Sequence, residues 1–323
     1  MKRIRFALAL FLSLFAVFAS YSYGFGDLMN DMIKEGKNGS EEEKANMDAL
    51  ESVIKVVTEI EPEDEYFIGR TVAATITAQY PVYKKAPKAT LYLNRICAAL
   101  TMNSEQPYLY NGYHVAIIDT DEINAMATPG GHIFVSRGLI KACDSEDALA
   151  AVLAHEIGHI QLKHNINAIK TNRVTDAAGK IGKATLLEEK NKNSDLVKIE
   201  RVLEKSGVDV AKVEGQAMEL YDNASTAANT LVNSGYSQSQ EFKADETALN
   251  LMVAAGYDPN AMVDMLNLIS GNTETGGWNS THPKPQDRIK KVNAKLKKLN
   301  KTYTFTGKEE RKARFQTNTA ELQ

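Results

Sequence analysis

The stretch that most constrains this chain is Ala154-His155-Glu156-Ile157-Gly158-His159-Ile160. Two histidines four residues apart fall on one face of a helix, one turn apart, where their imidazoles can share a metal ion. Glu156 projects about 100° round the helix from His155, so it is badly placed to join the ion beside both histidines and well placed to hold a water bound to it. The spacing therefore points to metal-assisted hydrolysis, in which the metal acidifies a water and Glu156 takes its proton. Ala148 to Ala154 is apolar throughout, which predicts a buried helix. Asp144 or Ser145 can cap it, with Glu146 and Asp147 in its positive first turn. Gly158 inside such a helix costs about 1 kcal/mol relative to alanine. Another backbone is expected to pass close there, either a neighbouring strand or a second metal-bearing helix.

A hydrolytic metal site needs three protein ligands and one open position. Glu241 and Asp245 stand at i and i+4 on a predicted helix that Ser237 and Gln240 open as a capping box and Gly256 ends. Glu241 is the candidate third ligand, and Asp245 the acceptor for the second nitrogen of a ligand histidine. On spacing alone the pair reads equally as surface acids of an amphipathic helix.

The remaining text predicts an α+β fold, mainly helical. Helices are expected from Pro62 to about Gln79 and from about Ala89 to Ala99, and another through Met262 and Leu266. Tyr113 to Ile118 and His132 to Ser136 read as strands, with Asn124 to Thr128 as a third, exposed one and Pro129-Gly130-Gly131 as a turn. With 43% hydrophobic residues the chain can bury a large core. Residues 25–61 read as a polar helical segment, 62–301 as the main domain, and 302–323 as a polar, peripheral tail. Residues 171–236 read as surface helices or as a mobile cover over the site.

The first 24 residues stand apart. Lys2, Arg3 and Arg5 precede an apolar run from Phe6 to Ala19, and small residues follow at Ser20, Ser22 and Gly24, the three regions of a secretory signal. The run falls short of the about 20 apolar residues of a bilayer span, and an uncleaved anchor is the other reading. No later stretch is apolar and long enough to span a membrane. Export means an oxidising compartment, where Cys97 and Cys143 can form a disulfide, with two buried free thiols as the alternative. A net charge of -3, with no basic patch among aromatics, argues against a nucleic-acid partner.

Four motifs in order complete the pattern. They are Asn124-Ala125-Met126-Ala127-Thr128-Pro129-Gly130-Gly131, then His155-Glu156-Ile157-Gly158-His159, then Glu241-Phe242-Lys243-Ala244-Asp245, then Thr281-His282-Pro283 with Arg288. Together they resemble the zinc metallopeptidases related to the CAAX prenyl protease and the HtpX heat-shock protease, above all their soluble exported members of periplasmic quality control. The resemblance implies a zincin-type (gluzincin) fold and one Zn2+ per chain on His155, His159 and Glu241. It implies that Asp245 and Arg288 support that site and that Glu156 is catalytic. It places His282 beside the metal, as a resting-state ligand or an oxyanion stabiliser. It makes Asn124, Ala125, Met126 and Ala127 the border of a substrate cleft, where an extended peptide can pair with a strand edge.

Two positions depart from the family. Gln238 stands where an arginine is frequent, and His132 where an aromatic is frequent. His132 is expected as a strand residue facing solvent, the alternative being an added ligand or pH-sensitive group. His114 and His164 are read as structural. The expected function is an exported endopeptidase acting on unfolded or misassembled, including membrane-associated, polypeptides. A chaperone-like binding module with gated or secondary proteolysis is the second reading, and a structural zinc site the third, against which Glu156 stands.

Overall fold

The computed structural model describes residues 60–167, 236–271, 282 and 285–322. The expected signal segment, nearly all of residues 25–61, and the insert apart from Tyr236 lie outside the described residues. The chain divides into two compact units, and almost all described residues belong to the one formed by Glu61–Ile166 with Tyr221–Gln323.

Helix α1, Pro62–Gln79, starts where proline and acids favour a helix N-terminus, with Glu61 N–H donating to Asp64 Oδ2 at 3.4 Å. Helix α2 is Pro87–Met102. A mixed three-stranded sheet follows, in the order β1-β3-β2. Strand β1, His114–Ile118, runs parallel to β3, His132–Ser136, while β2, Ala125–Ala127, runs antiparallel to β3. A short 3-10 turn over Pro129–Gly131 joins β2 to β3. It is held against α1 at backbone distance: a Cβ on Gly69 would stand 1.8 Å from the Pro129 carbonyl oxygen, and one on Gly130 would stand 2.5 Å from Tyr66 Cα.

Helices α3, Arg137–Ala142, and α4, Glu146–Gln161, come next. Ser145 caps α4 by accepting from Ala148 N–H at 3.2 Å, and every residue from Glu146 to Ile160 is buried. After the undescribed segment come α5, Gln238–Ala254, α6, Ala261–Gly271, and α7, Pro285–Thr302. Ser237 and Gln240 form the expected reciprocal capping box at the start of α5. The core is built round α4: Leu149, Val152 and Leu153 pack in one cluster with Leu93 and Leu100 of α2, Leu249 and Met252 of α5, and Met262 and Leu266 of α6. The architecture is thus mainly helical with a small mixed sheet, as the sequence predicts.

Three expectations are corrected. Strand β2 is not exposed: Ala125, Met126 and Ala127 are all buried, at the edge of the sheet beside β3 and against α4. Cys97 and Cys143 do not pair; both are free and buried in the hydrophobic cluster, where burial pushes each thiol up to about 12. Residues 302–323 are not a peripheral tail. They hold α8, Lys308–Thr319, and a closing turn, Ala320–Leu322, which place Phe315 and Leu322 in the core. On α8, Arg311 Nε donates to Asp147 Oδ1 at 2.8 Å, and Arg314 Nε to Glu146 Oε2 at 2.6 Å. The acids in the first turn of α4 thereby serve both its dipole and the arginines of α8. Regular polar spacing hid the few apolar anchors of this helix.

Candidate metal centre

His155 and His159 face the same side of α4, and α5 brings Glu241 to them. The helices meet at Gly158, where a Cβ would lie 3.0 Å from the Ala244 carbonyl oxygen and 3.2 Å from Ala244 Cα. The close backbone predicted for Gly158 is therefore the second metal-bearing helix. His282, just ahead of α7, completes the group: one donor atom from each of His155, His159, Glu241 and His282 lies within 4.8 Å of the others, and all four residues are buried.

The donors have the shape a metal demands. Nε2 of His155 is 3.0 Å from Nε2 of His159 and 3.3 Å from Nδ1 of His282. The Glu241 carboxylate is 3.6 Å from His155 Nε2, 3.4 Å from His159 Nε2 and 2.9 Å from His282 Nδ1. Tetrahedral bonds of about 2.0 Å place ligand atoms about 3.3 Å apart, and these five edges lie near that value, with Glu241 turning Oε2 to His155 and Oε1 to His159 and His282. Burial favours neutral His159, whose pKa is pushed well below the usual imidazole value, and a neutral imidazole is the metal-binding form. Burial alone would raise Glu241, but His282 and Arg288 hold it well below the usual carboxylate range.

The two histidines of α4 are each oriented from behind. His155 Nδ1 stands 3.0 Å from Asp245 Oδ1, the role expected of Asp245. Burial would raise the Asp245 carboxyl, but Arg288 overrides it and keeps the group ionised. His159 Nδ1 is 3.0 Å from His164 Nδ1. A His159 that offers Nε2 to a metal carries its proton on Nδ1, so it donates to His164, and burial keeps His164 neutral by lowering its pKa to about 4.

Glu156 differs from every other acid here. It is fully buried, and neither carboxylate oxygen has a hydrogen-bond partner among the described residues; His282 Nε2 stands 3.7 Å from Oε1. Burial raises its pKa, against the lowering influence of His282 and His155. An unsatisfied buried carboxylate is costly in a purely structural setting and is what a general base beside a metal-bound water requires.

The other predicted residues fall as follows. Asn124 to Ala127 form the sheet edge on α4, and Arg288 is fully buried between Asp245 and Glu241. Gln238 Nε2 donates to Asp287 Oδ2 at 3.0 Å, an uncharged donor where the family often has an arginine. His132 lies outside the cluster and does not simply face solvent: it is half-buried and stacked on Tyr66 with ring centroids 5.6 Å apart, and burial lowers its pKa. His114 Nε2 bonds the Asn111 carbonyl at 2.7 Å.

His164, Asn165 and Tyr236 were missed as site residues. On a continuous helix His164 would point away from His159. The chain instead leaves α4 at Gln161, and Lys163 takes φ 54°, a left-handed conformation that turns His164 and Asn165 back toward the site. A lysine gives no signal of such a turn. Tyr236 stacks on His159 with centroids 3.7 Å apart, a contact that no spacing rule reveals across the intervening segment.

A helix carrying H-E-x-x-H, a glutamate ligand from a second helix and a sheet edge alongside define a metallopeptidase. The chain belongs to peptidase family M48, whose family model matches residues 87–296. Among relatives, it is 28% identical over 211 residues to mitochondrial metalloendopeptidase OMA1 of Schizosaccharomyces pombe, covering 63% of this chain and 52% of that protein. It is 24% identical over 207 residues to the beta-barrel assembly-enhancing protease of Escherichia coli strain K12, covering 63% of this chain and 38% of the relative. Bos taurus OMA1 matches at 24% over 180 residues, 54% of this chain and 30% of the relative. The chain thus spans about half or less of the length of these relatives. Among the described residues no helix is long and apolar enough to cross a membrane.

Proposed function

We propose that this protein is an exported, periplasmic zinc endopeptidase that cleaves unfolded or misassembled polypeptides, among them membrane-associated ones. The observation that carries the reading is the buried Glu156 carboxylate, without a hydrogen-bond partner among the described residues, beside a compact set of four donors. Zinc held by His155, His159 and Glu241 would polarise the scissile carbonyl and bring the pKa of a bound water to about 7. Glu156, buried beside these donors, would accept a proton from the attacking water and return it to the leaving amine. Strand β2 receives the peptide by main-chain pairing, which suits substrates recognised by their unfolded state rather than by side chains. The signal-like residues 1–24 support export, and similarity to the beta-barrel assembly-enhancing protease supports misassembled substrates.

In this reading His282 would close the donor set at rest and would have to withdraw for hydrolysis; its 3.3 Å and 2.9 Å distances to His155 and Glu241 favour that role over oxyanion stabilisation. The same contacts favour the second reading, a chaperone-like binding module with gated proteolysis. Zinc analysis of the purified protein, with cleavage of unfolded casein by wild type and His282→Ala, separates them. A gated protease gains activity in the variant, whereas a pure binder does not respond. Wild-type cleavage that persists in a zinc chelator sinks the mechanism.

A further inference from the structure

The two histidines of α4 are not held alike. His155 Nδ1 has a carboxylate behind it, Asp245 Oδ1 at 3.0 Å, and Arg288 keeps that group ionised. His159 Nδ1 has instead the neutral ring of His164 at 3.0 Å, with 72° between the two ring planes. A hydrogen bond to an ionised acceptor is about twice as strong as one between neutral groups, so His159 is the more weakly oriented of the pair from behind. Rotation of an imidazole about χ2 is also broad, without steep staggered wells. One neutral bond in the ring plane leaves the tilt of the ring open.

Tyr236 meets the face of that ring. Its phenol lies over His159 with centroids 3.7 Å apart and 27° between the planes, and it stands 5.3 Å from the ring of His282. The phenol is itself anchored: its hydroxyl donates to Asn165 Oδ1, and Asn165, 1% exposed, donates through Nδ2 to the Ala127 carbonyl at 3.0 Å. Ser237 is the N-cap of α5, which puts Tyr236 one residue ahead of the cap and Glu241 four residues beyond it. Those two positions lie side by side where a chain enters a helix. The entry to α5 thereby brings two side chains to the cluster at once, a carboxylate among the donors and a ring over one of them.

We propose that Tyr236 is a positioning residue for the metal centre, which fixes the tilt of the His159 imidazole by stacking on it while His164 fixes its direction in the plane. The inference rests on His159 being a metal ligand. A ring nitrogen binds well only when its lone pair points at the ion, and a ring that tilts carries Nε2 off that line. Tyr236 thus does for His159 what the charge on Asp245 does for His155. The left-handed turn at Lys163 serves both restraints, since it delivers His164 to the ring directly and Asn165 to the phenol that covers it.

The test compares the wild type with Tyr236→Leu and Tyr236→Phe, using Zn2+ in chelator competition and Co2+ as its spectroscopic substitute. Tyr236→Leu keeps apolar bulk and loses the flat face. Its zinc affinity should fall about 10–100-fold, as for other groups that orient metal ligands, and the visible absorption bands of its Co2+ form should move from those of the wild type. Tyr236→Phe keeps the ring and loses only the hydroxyl, so it should restore most of the affinity and the wild-type bands. A merely structural role would lower the unfolding midpoint of the metal-free protein and leave the Co2+ bands in place. Tyr236→Met, with its adaptable side chain, replaces the leucine variant if that does not fold. A wild type that binds neither ion overturns the metal reading of the cluster. Zinc binding by the wild type with unchanged affinity and bands in Tyr236→Leu overturns the role of Tyr236 alone, and so does a Tyr236→Phe variant as impaired as Tyr236→Leu.

Discussion

Arg288 grips Asp245 by two hydrogen bonds, 2.8 Å from Nε to Oδ2 and 2.6 Å from Nη2 to Oδ1, and its Nη1 lies 2.7 Å from Glu241 Oε2. One buried cation thus serves both the Glu241 carboxylate of the donor cluster and the acceptor behind His155. Arg288→Lys keeps the charge but loses the fork that fits a carboxylate. Metal affinity, measured by chelator competition, should fall by about 10–100-fold. Arg288→Ala leaves two buried carboxylates without their cation and should cost the metal-free protein about 3–5 kcal/mol in denaturant unfolding.

Gly158→Ala sets two effects against each other. Alanine favours the helix by about 1 kcal/mol, but its Cβ would meet the Ala244 backbone at 3.0 and 3.2 Å. Neither helix backbone can give way without moving ligands, and overpacking of this kind costs about 1–3 kcal/mol. The clash wins. The variant should be less stable and bind metal more weakly, since the step that separates α4 from α5 also separates the histidines from Glu241. Equal stability and metal affinity in calorimetric titration would disprove this account.

Glu156→Gln keeps shape and removes the base. Its kcat should fall by at least about 10²–10⁴-fold, the usual contribution of a positioned proton acceptor. Metal content should be unchanged, because Glu156 is not among the four clustered donors.

The two cysteines give a pH prediction. Burial raises both thiols from 9.0 to about 12. A folded-state value above the unfolded one stabilises fully below the unfolded pKa, and the benefit is lost as pH rises from 9 through about 12, on the order of 4 kcal/mol for each thiol. At neutral pH iodoacetamide should label neither cysteine in the native protein and both after unfolding without reductant. An absence of labelling in the unfolded protein would reveal a disulfide instead.

The metal helix and its partners were legible because their signals are local or periodic: a four-residue spacing in α4, a reciprocal cap at Ser237 and Gln240, and a glycine where two helices meet. The convergence of Glu241 on His155 and His159 was different in kind. Spacing left Glu241 equally a surface acid, and only the ordered motifs singled it out. The buried side chains of β2 escaped because a three-residue strand carries too little alternation to tell its faces apart. His164 escaped because one left-handed lysine broke the helical register, and Tyr236 because its partner His159 lies on the far side of a long insert. The core role of α8 was hidden by its composition, since Phe315 and Leu322 stand among polar residues.

Helix α8 also has a consequence for the order of events during synthesis. The first turn of α4 finds its arginine partner at Arg311, 164 residues further along the chain, beyond the stretch matched by the family. Until that residue has been made, Asp147 lacks its arginine and the hydrophobic cluster round α4 lacks Phe315 and Leu322. A nascent chain that already contains His155, His159, Glu241 and His282 is therefore still without the clasp on α4. The clasp on α4 thus closes only after Arg311 has been added to the growing chain.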